Sequence, residues 1–152
     1  MKKVSITLVV ILIAAGFLQL SGNHMPLANK FNNDNSAPQN LLNDKGIGPF
    51  KNVTLAPIDK EKVKTGMSIY NNKCALCHEL DINKIGPPLR NAVKTYSPEF
   101  ILNMIVNPLE MQKSNESVKA LLKKYNNVPM VDQKITQQDA LNILEYLRSV
   151  VK

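Results

Sequence analysis

Five consecutive residues, Cys74-Ala75-Leu76-Cys77-His78, carry the chemistry of this chain. Two thiols three positions apart, followed at once by an imidazole, form the C-x-x-C-H spacing that attaches a c-type haem. Each thiol can add across one vinyl group of the macrocycle, and the adjoining His can place its ring on the iron. These are the only two cysteines among the 152 residues. A disulfide between them would leave His78 unexplained, and so small a loop restrains the unfolded chain little. Structural zinc takes four ligands, and the one other histidine, His24, lies far upstream.

Helices must position such a motif. Asp59 is suited to cap a helix that runs into it, with Val63, Met67, Tyr70 and Cys74 on one face. Gly66 costs such a helix about 1 kcal/mol against Ala; close approach of another helix is the reason we favour. Ile85-Gly86-Pro87-Pro88-Leu89 cannot continue a helix, because its prolines remove donors and fix φ. Ser97-Pro98-Glu99 is a helix start with cap, first-turn proline and acid in sequence. The face Ile101, Leu102, Ile105 and Val106 follows and stops at Asn107-Pro108. A short helix through Val118, Leu121, Leu122 and Tyr125 comes next. Thr136 and Asp139 then nearly form a capping box, ahead of the stripe Ala140, Ile143, Leu144, Leu147 and Val151. No strand pattern appears, so the expected fold class is all-α.

The chain divides into three expected parts. Residues 1–22 open with Lys2 and Lys3 and an apolar run from Val4 to Leu20, the pattern of a signal peptide or an N-terminal membrane anchor. Leu20-Ser21-Gly22 is a poor cleavage site, and the run is near the lower limit of roughly 17 residues for a bilayer span; both alternatives stand. Residues 23–57 form a polar, Asn-rich tether, whose last stretch from Gly46 to Leu55 is more apolar and suited to lie extended against a domain. Residues 58–152 form the domain itself. With no Trp and few aromatics, a domain of this size has a weak core, and a buried haem would supply the missing apolar centre.

The formal charge is +7, carried mostly by scattered lysines, with arginine at Arg90 and Arg148 alone. That distribution lacks the Arg-rich or aromatic-interleaved runs of a nucleic-acid surface, so no nucleic-acid partner is expected. It suits a protein partner with an acidic docking surface, with Lys73, Lys84, Lys94 and Lys134 as candidates for a ring around a haem edge.

Over residues 58–152 the sequence resembles a small class I cytochrome c of the bacterial exported type. The resemblance rests on Cys74, Cys77 and His78, on Gly66 and Tyr70 of the first helix, and on Ile143 and Tyr146 of the terminal helix expected to cross it. Gly86-Pro87 is similar to the family's Gly-Pro after the haem motif. The resemblance implies one covalent haem c, with the Pro87 carbonyl accepting a hydrogen bond from the axial His78 and Leu89 packing on the haem. It also implies export, because c-type haem is attached outside the cytoplasm; the expected location is periplasmic, soluble after signal cleavage or anchored through residues 4–20.

A thioether on the second axial side would close the iron and raise its potential. Met67 and Met104 lie on helix faces, where methionine is usually core filler. Met111 and Met130 sit beside prolines in loop-like contexts. Met130 occupies the position of the family's distal Met, shortly before the terminal helix, although Pro129 precedes it where the family commonly has Pro after Met. Met130 is therefore the expected distal ligand and Met111 the runner-up. The resulting expectation is a non-enzymatic one-electron carrier between respiratory-chain partners. Its alternatives are a haem protein with an open coordination site, such as a gas sensor or peroxidase-like protein, and a fixed cytochrome subunit of a larger reductase or oxidase complex.

Overall fold

The structure is a computed structural model that describes residues 41–152; the apolar run, His24 and the first part of the tether lie outside the described residues. Six helices follow one another: α1 (Lys60–Lys73), α2 (Ala92–Thr95), α3 (Pro98–Val106), α4 (Pro108–Ser114), α5 (Glu116–Lys124) and α6 (Gln137–Ser149). Among the described residues there is no strand, as the sequence pattern predicts.

The caps form as the sequence predicts. Asp59 accepts from the N–H groups of Glu61 and Lys62, Ser97 Oγ accepts from Phe100 N–H at 3.0 Å, and Thr136 Oγ1 accepts from Asp139 N–H at 3.1 Å. Each satisfies donors that a helix start leaves without intrahelical partners. α6 turns Ala140, Ile143, Leu144 and Leu147 inward, all buried, and makes its largest interface with α1. Gly66 stands at that crossing: a Cβ there would collide with the backbone carbonyl of Asn142. Four residues along, Tyr70 meets Tyr146 with ring centroids 5.2 Å apart, within the favourable range for a tilted aromatic pair. Met67, expected in the core, is 44% exposed instead. Gly66 and Tyr70 face α6, and the helical step of about 100° per residue carries Met67 off that face.

A second, smaller cluster joins Phe100 of α3, Met111 of α4 and Val118 of α5, with Ile47 and Met104 packed against it. Here the sequence reading of Met111 as a loop residue is corrected. Pro108 both ends the approach from α3 and opens α4 as a first-turn proline. Met111 is fully buried, and its Sδ accepts the Ile47 N–H at 3.0 Å.

Residues 44–53, assigned to the tether, are part of the folded body. Buried Asn103 accepts from Phe50 N–H at 3.0 Å and donates to the carbonyls of Lys45 and Phe50, both at 2.8 Å. Asp44 accepts from Asn115 and Ser117. Apolar packing adds to these bonds, with Phe50 and Val53 against the main core and Ile47 against the second cluster.

Glu99 closes the same seam by accepting the Val53 N–H at 2.9 Å. Burial works to raise its carboxyl pKa, but that bond, its own N–H and nearby Lys45 outweigh it and hold the group below the ordinary glutamate range. A depressed folded-state pKa contributes stability above the unfolded value, lost as pH falls through the folded one. Glu99→Gln is therefore expected to cost about 1 kcal/mol at neutral pH, with the gap to wild type closing under acid conditions in urea melts. A gap independent of pH would remove the Glu99 carboxylate from this role.

Candidate functional site

The motif grows directly out of α1. Cys74 caps the helix, its N–H bonded to Tyr70 O at 2.8 Å. The N–H groups of Cys77 and His78 both donate to Cys74 O, at 3.0 and 2.9 Å, so the five residues close on themselves as one tight turn. Tyr70 adds a second tie, donating its hydroxyl to His78 O at 3.1 Å. Its role therefore exceeds the helix packing read from sequence.

The chain then loops back. Gly86 N–H donates to Cys77 O at 2.9 Å, which brings Gly86-Pro87 against the imidazole. His78 Nδ1 lies 2.9 Å from Pro87 O. A carbonyl oxygen only accepts, so Nδ1 carries the proton and Nε2 keeps its lone pair. Burial lowers the His78 pKa, and the Pro87 bond partly opposes that shift; the ring is held neutral, the form that ligates a metal. Burial, then Cys77 beside it, pushes the Cys74 thiol up to about 11. Neither cysteine is in a disulfide.

Both thiols and the imidazole line an open cleft of about 290 Å³. Its other walls include Leu121 and Leu122 of α5, Tyr125 at its C-terminal end, and the segment Val128-Pro129-Met130-Val131 ahead of α6, with Gln112 reaching in from α4. Tyr125 also donates its hydroxyl to Asn83 Oδ1 at 3.1 Å, linking the two sides of the cleft. Of the four methionines weighed as ligands, Met130 alone lines the cleft among the described residues. Met67 is exposed on α1, and Met104 and Met111 belong to the second cluster.

Leu89, expected against the haem, does not line the cleft; it packs on the main core. Its N–H is bonded to Glu79 O and that of Arg90 to Leu80 O, both at 2.9 Å, and this pairing turns the chain away after Pro88. Of the four lysines proposed as a ring, Lys73 lines the cleft and Lys84 donates to Ala75 O inside the motif. Lys94 is bonded to the carbonyl of Lys152, and Lys134 to Asp132. Gln112 was not legible in the sequence, because it acts on residues 18 positions away with no local spacing to mark it.

A family model for cytochrome c matches residues 63–151. The chain belongs to the cytochrome c family. Among solved structures it is similar to cytochrome c from Rhodothermus marinus, at 38% identity over 68% of this chain and 89% of that one, with a TM-score of 0.66. An engineered form of that cytochrome, Rma TDE, is 36% identical over 68% of this chain and 90% of that one, with a TM-score of 0.65. The same engineered protein bound to a carbene intermediate matches at 36% identity, covering 68% and 89%, with a TM-score of 0.63. Among curated proteins there is no match.

Membership carries haem-based electron transfer with it, and the residues fit the group. The cleft offers two unpaired thiols at haem-attachment spacing, a neutral imidazole with Nε2 free, and walls that are mainly apolar. Gly86 leaves the imidazole the room it needs, since a Cβ at that position would strike the His78 ring.

Proposed function

We propose that this cytochrome c is a one-electron carrier with a single haem c held through Cys74 and Cys77, His78 as proximal ligand and Met130 as distal ligand. The observation that carries the proposal is the meeting, in one cleft, of the two thiols, the Pro87-oriented His78 and Met130. Bound there, the haem supplies an iron that gains and loses one electron. The chain does the rest. Cys74 and Cys77 would hold the haem by thioether bonds, each thiol adding its sulfur and its hydrogen across one vinyl C=C with no oxidant needed. Pro87 fixes the imidazole and raises its basicity. Leu121, Leu122, Val128 and Val131 line the cleft and would shield a metal held there from water.

The proposed partners are redox proteins with acidic docking surfaces, met through the basic balance of the chain. Leu76, 78% exposed within the motif turn between the two thiols, offers an apolar contact to such a partner. The proposed location is outside the cytoplasm, in the periplasm, either soluble after signal cleavage or anchored through residues 4–20.

Spectra of the purified protein test the ligands. The haem is expected to survive acid-acetone extraction and to become extractable when Cys74 and Cys77 are both Ala. Met130→Ala should abolish the weak far-red band of ferric iron bound to a thioether. Met111→Ala should keep the band while costing roughly 2–5 kcal/mol of stability, as buried methionine truncations do. Retention of the band in Met130→Ala, or fast, tight carbon monoxide binding to reduced wild type at neutral pH, would sink the closed His/Met site.

A further inference from the structure

We infer that Gln112 is a positioning residue for the distal side: its carboxamide clamps the backbone of Met130 and thereby sets how firmly the thioether is presented to the iron. The inference rests on Met130 being the distal ligand.

Gln112 Oε1 accepts the Met130 N–H at 2.8 Å, and Gln112 Nε2 donates to the Met130 carbonyl, also at 2.8 Å. One side chain thus takes both backbone polar groups of one residue. The same Nε2 donates to Pro108 O at 2.8 Å, one turn back on α4. A carboxamide has two N–H donors, so both are spent, and the amide plane is fixed to its own helix while it holds Met130. α4 is a firm base, because Met111, the preceding residue, is fully buried against Phe100 and Val118.

The segment so held is otherwise tied at its ends, by Asn127 and Val128 N–H to the Leu122 and Tyr125 carbonyls on one side and by Ile135 against the core on the other. Between α5 and α6 the chain is irregular, with Asn126, Asn127 and Lys134 in the left-handed region. Among the described residues, Gln112 is the side chain that bonds the Met130 backbone. A loop-borne ligand must be ordered to bind, and a prior restraint on its backbone removes that entropic cost from the ligation step. Without the clamp, the sulfur would be displaced more readily by an external ligand.

Ferric holoprotein titrated with imidazole reads this directly. Gln112→Leu is expected to weaken the far-red band and to tighten imidazole binding about tenfold, the scale on which supporting residues affect a metal site. Gln112→Glu keeps the volume and the acceptor for the Met130 N–H but removes the donors, and should fall between wild type and Gln112→Leu; it decides the matter if the leucine variant does not fold. In a Met130→Ala background, Gln112→Leu should leave imidazole affinity unchanged, because the two residues act through one contact. An unchanged band and affinity in the foldable Gln112 variants overturns the clamp, as does an equal gain in the Met130→Ala background. If Met130→Ala itself keeps the far-red band, the ligand assignment falls and takes the clamp with it; the clamp alone fails when Met130→Ala loses the band and Gln112 variants are silent.

Discussion

Gly66→Ala is expected to destabilise the holoprotein by about 3 kcal/mol, the upper end of ordinary overpacking. Helix propensity predicts the opposite sign, since alanine in a helix interior is favoured over glycine by about 1 kcal/mol. The crossing decides. A Cβ on Gly66 would run into the carbonyl carbon and oxygen of Asn142, with Ile143 N only 3.0 Å away. All three are backbone atoms of α6, so no rotamer change relieves them, and the two helices must move apart. Separation would loosen the Tyr70–Tyr146 contact and the packing of buried Ile143. It would also disturb the haem motif, because Tyr70 supplies both the backbone acceptor for Cys74 and the hydroxyl bond to His78. Urea midpoints of the two holoproteins measure the effect; a variant as stable as wild type would show that the crossing yields.

What the sequence made legible was local. The caps Asp59, Ser97 and Thr136 bond groups two or three positions on, so composition and spacing expose them. The same holds for the α6 stripe from Ala140 to Leu147, though Val151, expected on it, lies past the helix end at Ser149, and for the motif from Cys74 to His78, whose turn is closed by bonds over three and four residues. Gly66 was legible only because a glycine that weakens a helix needs a reason.

What stayed hidden was long-range. The apolar content of Gly46 to Leu55 suits that stretch to lie against a domain, but it does not disclose the polar partners that hold residues 44–53, Asn103, Asn115 and Glu99, from 46 to 71 positions away. α4 spans only Pro108–Ser114, too short for a periodic signal, and its proline read as a terminator instead of a start. Met111 was misplaced with it. Around Leu89, too, motif spacing marks the residue that follows Gly-Pro, while the bonds that hold its backbone, to the Glu79 and Leu80 carbonyls, leave no mark in the spacing. At the site itself the chemical groups were readable and their supports were not, Gln112 above all, since a side chain bonding a distant backbone leaves no trace in local order.

Gly86→Ala carries the second large effect, and it falls on the metal site. Gly86 needs no unusual φ, so alanine meets no torsional penalty there; the obstacle is space. A new Cβ would strike the His78 ring, with Nδ1 at 2.8 Å and Nε2 at 3.0 Å. The backbone cannot retreat easily, because the Gly86 N–H is bonded to Cys77 O and its carbonyl accepts from Lys84 N–H. The ring is pinned as well, by the 2.9 Å bond from Nδ1 to Pro87 O. One of these must give. If the ring swings, it loses the bond that fixes its tautomer and strengthens it as a ligand; if the loop unhooks, Pro87 leaves with it. Either way the outer support of the proposed proximal ligand is lost, a change that typically costs ten- to a hundredfold in metal affinity or activity. Expression under identical conditions should therefore yield about tenfold less haem-loaded protein, read as haem absorbance per chain. The fraction that loads should show a weakened His–iron bond, seen as carbon monoxide binding or a shifted potential absent from wild type. Wild-type loading and an unshifted potential would mean that the loop gives by a few tenths of an ångström and that Gly86 does not set the His78 geometry.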